Sequence, residues 1–336
     1  MKKLIKDITR RFLYVLPTQF SRQLLPLFSR IIGADEAQKI ALTRFVSKLM
    51  LNYDKIARRL VKRGKVMYIN KMQWSGSYFN IAILNNLLSL VIYSLYLGYV
   101  PIIQINEDAE CNFSWWWFFK QPLEQYTKDL KIRASKTMKK VQVSYSPGWL
   151  FSQTGEWHDQ WHFIYHTFVK LNDTTQKYVD SENTALGDLD NVLGVLVRGT
   201  DYTSTKPKGH PIQPELNDVL MKAREVLENN QYRAIYVATE DETYFNAFAL
   251  EFGTEKVLSN ERVYYDKKYI PGTLIGSIHF DRENDNYQKS LEYLSSMILL
   301  SRCSSLVAGN CGGTCFALLY AREPFRICNI FNKGLY

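Results

Sequence analysis

The sequence has 336 residues, 46% of them hydrophobic and 22% charged, which fits two ordinary domains with a buried core and excludes a chain dominated by disorder. Its net charge of +9 is uneven: up to Gln73, 17 Lys and Arg face 4 Asp and Glu, a net +13, which leaves the remainder at −4. A basic excess confined to the first fifth favours an acidic partner; an anionic membrane met peripherally by residues 1–63 suits it better than nucleic acid, for which no module is recognisable.

In chain order, residues 1–62 are predicted to form a basic helical segment. Met1 to Gly33 is no standard signal peptide, because Arg10, Arg11, Gln19, Arg22 and Arg30 interrupt its apolar residues. It fits amphipathic helices parted near Pro17. Leu13, Leu16, Phe20, Leu24 and Phe28 then share a face that either packs on its own domain or lies in a membrane interface. A first α/β domain is expected over 63–185. Val66–Ile69 is a strand, Gln73–Ser77 a loop with Gly76, Tyr78–Leu97 a helix and Val100–Ile105 a second strand, a βαβ unit that implies a parallel sheet. Ile81 to Ile105 is long enough to span a bilayer, but Gly98 and Pro101 divide it into a helix and a buried strand.

Between 107 and 190 the pattern is weaker. The run Trp115-Trp116-Trp117-Phe118-Phe119 is either a hydrophobic cluster beneath a loop or a wall for the apolar face of a sugar. His158, His162 and His166 recur every fourth residue; on a helix they share one face that could meet a metal, and with Trp157, Trp161, Phe163 and Phe168 around them they are taken as partly buried helix residues. Asp188-Leu189-Asp190 has the letters of a metal-binding Asp-x-Asp but precedes a strand, and is taken as a solvated turn.

A second, Rossmann-like domain is predicted over 186–336. Strands are expected at Val192–Val197, Ala234–Ala238, Lys256–Leu258, Ser305–Ala308 and Phe325–Cys328. Helices are expected at Pro214–Asn229, Asp241–Phe252, Asn286–Cys303 and Thr314–Ala321. The five cysteines, Cys111, Cys303, Cys311, Cys315 and Cys328, are odd in number and mostly in core elements, which suits reduced thiols in the cytoplasm.

Open α/β sheets hold ligands at the carboxyl ends of their strands, and three such ends carry chemistry. The first strand runs into Arg198-Gly199-Thr200-Asp201-Tyr202, an arginine placed for a bidentate grip on phosphate. The second ends in Thr239-Glu240-Asp241, where helix capping is the simpler role for a hydroxyl or carboxylate. The third enters Gly309-Asn310-Cys311-Gly312-Gly313-Thr314, a glycine-rich turn that offers backbone N–H groups to a phosphate at a helix start. His210 follows in Lys206-Pro207-Lys208-Gly209-His210-Pro211, a loop near the first end.

In this order, the three strand ends resemble the fucosyltransferase superfamily that includes α-1,2-, α-1,6- and protein O-fucosyltransferases. Leu196 through Tyr202 is similar to a His-x-Arg-Arg-x-Asp type motif, and Ala238-Thr239-Glu240-Asp241 to an Ala-Thr-Asp-Asp strand end. Leu300-Ser301-Arg302-Cys303 through Thr314 is similar to a Leu-Ser-x-Cys strand with its serine-rich loop. The similarity covers roughly Val192 to Ala321. It implies a GT-B-like arrangement of two Rossmann-like domains facing a cleft, with 63–185 on the acceptor side. It also implies metal-independent inversion and Arg198 on the donor's β-phosphate. The guanine-contacting positions fall on Leu196 and Ser296, the second arginine on Gly199, and the loop serines on Cys311 and Gly312.

The resulting candidates are Arg198, Asp201 and His210 as catalytic, with Glu240 a further general base. Arg198, Thr200, Thr239, Glu240, Asp241, Ser296, Gly312, Gly313 and Thr314 would bind the donor, and Trp74, Gly76 and Trp116 the acceptor. The expected reaction moves a sugar, fucose from GDP-fucose, to a hydroxyl of a glycan or lipid-linked saccharide in polysaccharide biosynthesis at the cytoplasmic membrane face. No cofactor beyond the nucleotide-sugar co-substrate is implied. The alternatives are another nucleotide-sugar donor, a non-catalytic nucleotide- or glycan-binding protein, or a membrane-associated structural protein.

Overall fold

The structure is a computed structural model that describes residues 2–70, 79–106, 112–138, 143–268 and 270–336. It opens with three helices, α1 (Lys2–Val15), α2 (Thr18–Ile32) and α3 (Ala34–Arg63). Pro17 parts the first two as predicted, and its carbonyl accepts the free N–H groups of Phe20 and Ser21 at the start of α2. α3 breaks at Asn52, whose φ of −141° and ψ of 29° leave the helical region, and stops at Gly64, where φ is +64°. The apolar face expected on the N-terminal helices is divided, and α1 carries further exposed apolar side chains. Leu13 and Phe28 are buried, whereas Leu4, Ile8, Phe12 and Val15 on α1 and Phe20 on α2 are largely exposed. Among the described residues no helix is long and apolar enough to cross a membrane.

The first sheet contains β1 (Lys65–Ile69), β2 (Val100–Ile103) and β3 (Ala134–Thr137), all parallel, in the order β2-β1-β3. α4 (Ile81–Leu97) follows β1 and starts at Asn80, whose side chain accepts the Ile83 N–H. Trp74 and Gly76 lie outside the described residues. The aromatic run forms a 3-10 turn, Trp115–Trp117, ahead of the short α5 (Glu124–Thr127). Trp115, Phe118 and Phe119 are buried, and Trp117 and Phe118 meet Tyr287 across the molecule with ring centroids 5.6 and 5.4 Å apart. The run is therefore a packing cluster, with Trp116 alone half exposed.

α6 (Glu156–Phe168) and α7 (Asp173–Leu186) complete this half. α6 carries the three histidines on one face, as expected. Each ring meets a carbonyl near one helix end: His158 Nε2 lies 3.2 Å from Leu318 O, and His162 and His166 Nε2 lie 3.0 and 3.1 Å from Ala321 O. Burial and the neighbouring His162 hold His166 below the ordinary imidazole range. Among the described residues no three His, Cys, Asp or Glu side chains are grouped to hold a metal. Asp188 and Asp190 form an exposed turn closed by the Asp190 N–H on Asp188 Oδ1.

The second sheet follows. Its elements are β4 (Val192–Leu196), α8 (Asp201–Thr205), α9 (Leu216–Glu228), β5 (Ala234–Ala238), α10 (Glu242–Phe252), β6 (Val257–Leu258), α11 (Asp285–Leu300), β7 (Ser305–Gly309), α12 (Gly312–Tyr320) and β8 (Cys328–Phe331). The five strands are parallel in the order β6-β5-β4-β7-β8. Leu193, Val195 and Val197 point into one core with α9 and α10. Val192 and Leu196 point into the other, with α11 and α12. The strands are thus buried on both faces, which is why they read as unbroken apolar runs. That second core continues without interruption into α4, α6 and the N-terminal helices.

Several element bounds differ from expectation. β8 pairs four residues' length beginning at Cys328, not Phe325, because the Phe325 N–H is taken by Gln153 Oε1 and its ring is buried. α8 is a further short helix, with no counterpart among the expected elements. α12 starts at Gly312, two residues early, so Gly312 and Gly313 belong to its first turn. Cys303, Cys311, Cys315 and Cys328 are free thiols, and burial pushes Cys315 up to about 12.

Candidate functional site

Counted from β4, the chain lays β5 and β6 to one side, then crosses back to lay β7 and β8 on the other. The crossover point of such a sheet lies between β4 and β7, and it leaves a crevice beyond their carboxyl ends. Leu196 of β4 is level with Ala238 of β5 and Ala308 of β7. Two residues further along each strand come Arg198, Glu240 and Asn310. The sequence-predicted residues of all three strand ends are therefore brought side by side by register alone.

Arg198 is the centre of this group. Its Nη2 donates to Asp201 Oδ1 at 2.7 Å and its Nε to Glu240 Oε1 at 3.3 Å, with only 15% of its side chain exposed. Its guanidinium stands over the Tyr202 ring, 4.3 Å from the centroid. Burial works against its charge, but Glu240 and Asp201 more than offset this, and Arg198 is held well above the ordinary arginine value. Glu240 is buried, yet Arg198 and the Thr200 hydroxyl, 2.8 Å away, keep it below the usual carboxylate range. β4 and β7 pair with Leu196 level with Ala308, so the strand end that carries Arg198 adjoins the turn after β7, and Cys311 of that turn adds to the rise in its value. A phosphate arriving here joins a charge-compensated cluster, not an open cation. Two of the five guanidinium N–H groups are engaged among the described residues, which leaves three.

Gly199 is required by space: a Cβ there would run into Asp241 Oδ2 and the Tyr244 ring. Asp241 caps α10 by accepting the Tyr244 N–H at 3.1 Å, and Thr239 Oγ1 accepts the Asp241 N–H at 3.2 Å. Both thus take the capping role, and burial raises Asp241 above the usual carboxylate value. The turn after β7 is tightly packed. A Cβ on Gly313 would sit 2.5 Å from Met297 Sδ and 2.9 Å from Leu196 Cδ1, so this glycine lets α12 close onto α11 and β4. Thr314 is buried, its hydroxyl on Gly309 O. No side chain caps α12 and its first turn holds no acid, so its leading N–H groups keep their anion-binding character. A Cβ on Gly312 would meet Ile81 Cβ at 3.3 Å, which brings the start of α4 against the start of α12.

His210 joins the cluster through Tyr202, whose hydroxyl is 3.0 Å from His210 Nδ1. Burial and then Arg198 hold His210 below its ordinary value, which favours the neutral ring, and burial pushes Tyr202 up to about 12. Trp149, which sequence reasoning missed, lies 5.3 Å from the His210 ring and donates its indole N–H to Gly209 O. The chain end clamps the same loop, with Tyr336 N–H on His210 O and Ile212 N–H on Gly334 O. Gln213, also missed, donates to Pro211 O and Asn310 O and ties that loop to β7. Over the cluster lie the segments 259–268 and 270–284, which donate Tyr265 N–H to Glu240 O and Ile275 N–H to Asp201 Oδ2.

One expected donor residue does not reach this group. Ser296 is fully buried inside α11, with Tyr236 Oη 3.2 Å from its hydroxyl, so it is a core hydrogen-bonding residue and not a donor contact. Trp116 stands on the opposite half, its carbonyl bonded to Asn172.

The sequence matches no protein-family model, and no curated relative matches it. Solved structures similar to it include a NodZ α-1,6-fucosyltransferase soaked with GDP-fucose (13% identity, TM-score 0.48, covering 76% of this chain and 93% of that one). Another is a variant of Arabidopsis thaliana FUT1 in complex with GDP (12%, 0.44, 84% and 77%). A third is POFUT1 in complex with GDP-fucose (9%, 0.47, 81% and 98%). The α/β architecture itself stands on the strand order and register described above.

Proposed function

We propose that this chain is a glycosyltransferase that binds a nucleoside-diphosphate sugar at the crossover point of its second sheet. The observation that carries this reading is Arg198 beyond the end of β4, held rigid by Asp201 and Glu240 beside the uncapped start of α12. An acceptor hydroxyl attacks the anomeric carbon, the bond to the diphosphate breaks, and the electron pair leaves on the β-phosphate. Charge that grows there is met by the remaining N–H groups of Arg198 and by the first amides of α12, donors already oriented before reaction. Of the three candidate bases, Asp201 and Glu240 are committed to Arg198. His210 favours its neutral form and is placed by Tyr202, and we assign it the acceptor's proton. The motif resemblance makes GDP-fucose the first donor to test.

Calorimetry with GDP, UDP and CDP tests donor binding, and release of nucleoside diphosphate from GDP-fucose tests transfer. Arg198→Lys keeps the charge but loses the planar fork. It is expected to lower transfer about ten- to hundredfold, the value of one charge-assisted hydrogen bond. Wild-type turnover by Arg198→Lys, or no affinity for any of the three diphosphates, would overturn the reading. Tight diphosphate binding with no transfer to any saccharide would favour a binding protein.

A further inference from the structure

Two cavities lie along α3, away from the strand ends. The larger, about 620 Å³, balances its cations with Asp54 and Asp129. The other, about 450 Å³, is lined by Arg22, Lys48, Lys55, Arg59 and Arg63 and by no carboxylate. Three of those cations follow from helix geometry: Lys55, Arg59 and Arg63 are spaced to fall on one face of α3, and Lys48 joins them from before the break. The α3 break at Asn52 is part of the same wall. Arg22 reaches in from α2, in space left by Gly98, where a Cβ would sit 3.2 Å from Arg22 Nη1.

Arg63 and Arg59 repel the charge of Arg22, and the structure contains little to offset this. Among the described residues none of the five makes an ion pair, and the buried Nε of Arg22 has no hydrogen-bond partner. Buried donors are normally paired. Arg22 has the Tyr96 ring 5.4 Å away, and burial, then Arg63 and Arg59, hold it below the ordinary arginine value. The cavity also has an apolar side, made by Phe45, Ile56, Leu60 and Leu95. A compact anion with several acceptor oxygens answers the charge, and an attached apolar chain answers that wall.

We propose that this cavity is a second anion site, which binds the phosphate or diphosphate group of a phosphorylated ligand. It is separate from the donor site and does not depend on the glycosyltransferase reading. The phosphate can come from a lipid headgroup or from a free phosphorylated molecule. Exposed Leu4, Ile8, Phe12 and Val15 on the preceding helix give the lipid source a place to dock.

The test uses the full chain and the double variant Lys55→Glu/Arg59→Glu, whose two side chains are exposed. One arm titrates inorganic pyrophosphate by calorimetry. The other sediments the protein with phosphatidylcholine vesicles containing phosphatidic acid, against vesicles of equal charge containing phosphatidylserine. Binding of pyrophosphate, or a preference of tenfold or more for phosphatidic acid, that falls at least tenfold in the double variant supports the site and tells which source it uses. GDP binding at the strand ends should be the same in both proteins. The proposal fails if the wild type binds neither probe, if the variant binds as the wild type does, or if the two anionic lipids are bound equally and pyrophosphate not at all. A melting curve of the variant matching the wild type removes misfolding as the explanation, and Lys55→Ala/Arg59→Ala gives a second, milder reading.

Discussion

Arg198 and Arg22 are both drawn out of water, yet their surroundings are opposite. Arg198 has two carboxylates within 3.3 Å and its charged form is favoured. Arg22 has two like charges nearby, an Nε without a partner, and a depressed value. The first environment is complete in itself, and a ligand there must fit around an existing network. The second is incomplete, and a ligand there supplies what the fold lacks. A buried charge tends toward one of these conditions, because desolvation must be offset either by the protein or by something that binds it.

Stability separates the two most sharply. Arg198→Ala leaves Asp201 and Glu240 buried without their cation, and breaking such a pair costs about 3–5 kcal/mol. The expected result is a clear fall in the urea midpoint. A loss under about 1 kcal/mol would mean that the network is not holding the strand ends together. This is also why Arg198→Ala is a poor probe of chemistry, since loss of activity and loss of fold would coincide, and why Arg198→Lys is preferred above. Arg22→Met is expected to change stability by no more than about 1 kcal/mol without ligand, because it removes an unsatisfied, repelled cation and keeps its apolar stem. A cost near that of Arg198→Ala would erase the contrast.

His210 sharpens the catalytic side of the comparison. A base must be neutral to act. Since burial and Arg198 lower its value, it stays neutral as the pH falls through the ordinary imidazole value near 6.5. The acid limb of kcat/KM should therefore lie below about pH 6.5. His210→Gln should remove that limb and lower kcat by about 10²- to 10⁴-fold. A limb that persists unchanged in this variant would shift the role to one of the carboxylates.

How far these features could be read from sequence depended on where their partners lay. Buried parallel strands are continuous apolar runs, so β4, β5 and β7 were legible almost to the residue. β3 was not, because Ala134–Thr137 is exposed throughout and holds its place through backbone bonds to β1. α7 was missed for a related reason: its sequence is polar, and only Thr175 and Val179 are buried. At the site, the position of Arg198 was legible, but its partnership with Glu240 crosses from β4 to β5 and depends on register. Ser296 was assigned by motif position, and tertiary packing turned it inward. The basic excess before Gln73 was plain in the composition, but nothing local to the sequence brings Arg22 of α2 beside Arg59 and Arg63 of α3.

The turn after β7 gives the finest discrimination, because its glycines had been read as a phosphate cradle and the structure gives them packing work. Gly313→Ala pushes a methyl group against Met297 and Leu196. Met297 is an unbranched side chain at its flexible end, so part of the clash can be relieved, and the expected cost is about 1–3 kcal/mol. Gly312→Ala meets only Ile81 at 3.3 Å, on the N-terminal half, and should cost less. If the amides of this turn hold the diphosphate, Gly312→Ala should weaken GDP binding measurably while barely moving the melting temperature. Gly313→Ala should do the reverse, lowering stability more than affinity for the nucleotide that survives in the folded fraction. Equal effects of both substitutions on stability, with GDP binding untouched by either, would leave the turn a purely structural joint and return the whole burden of phosphate recognition to Arg198.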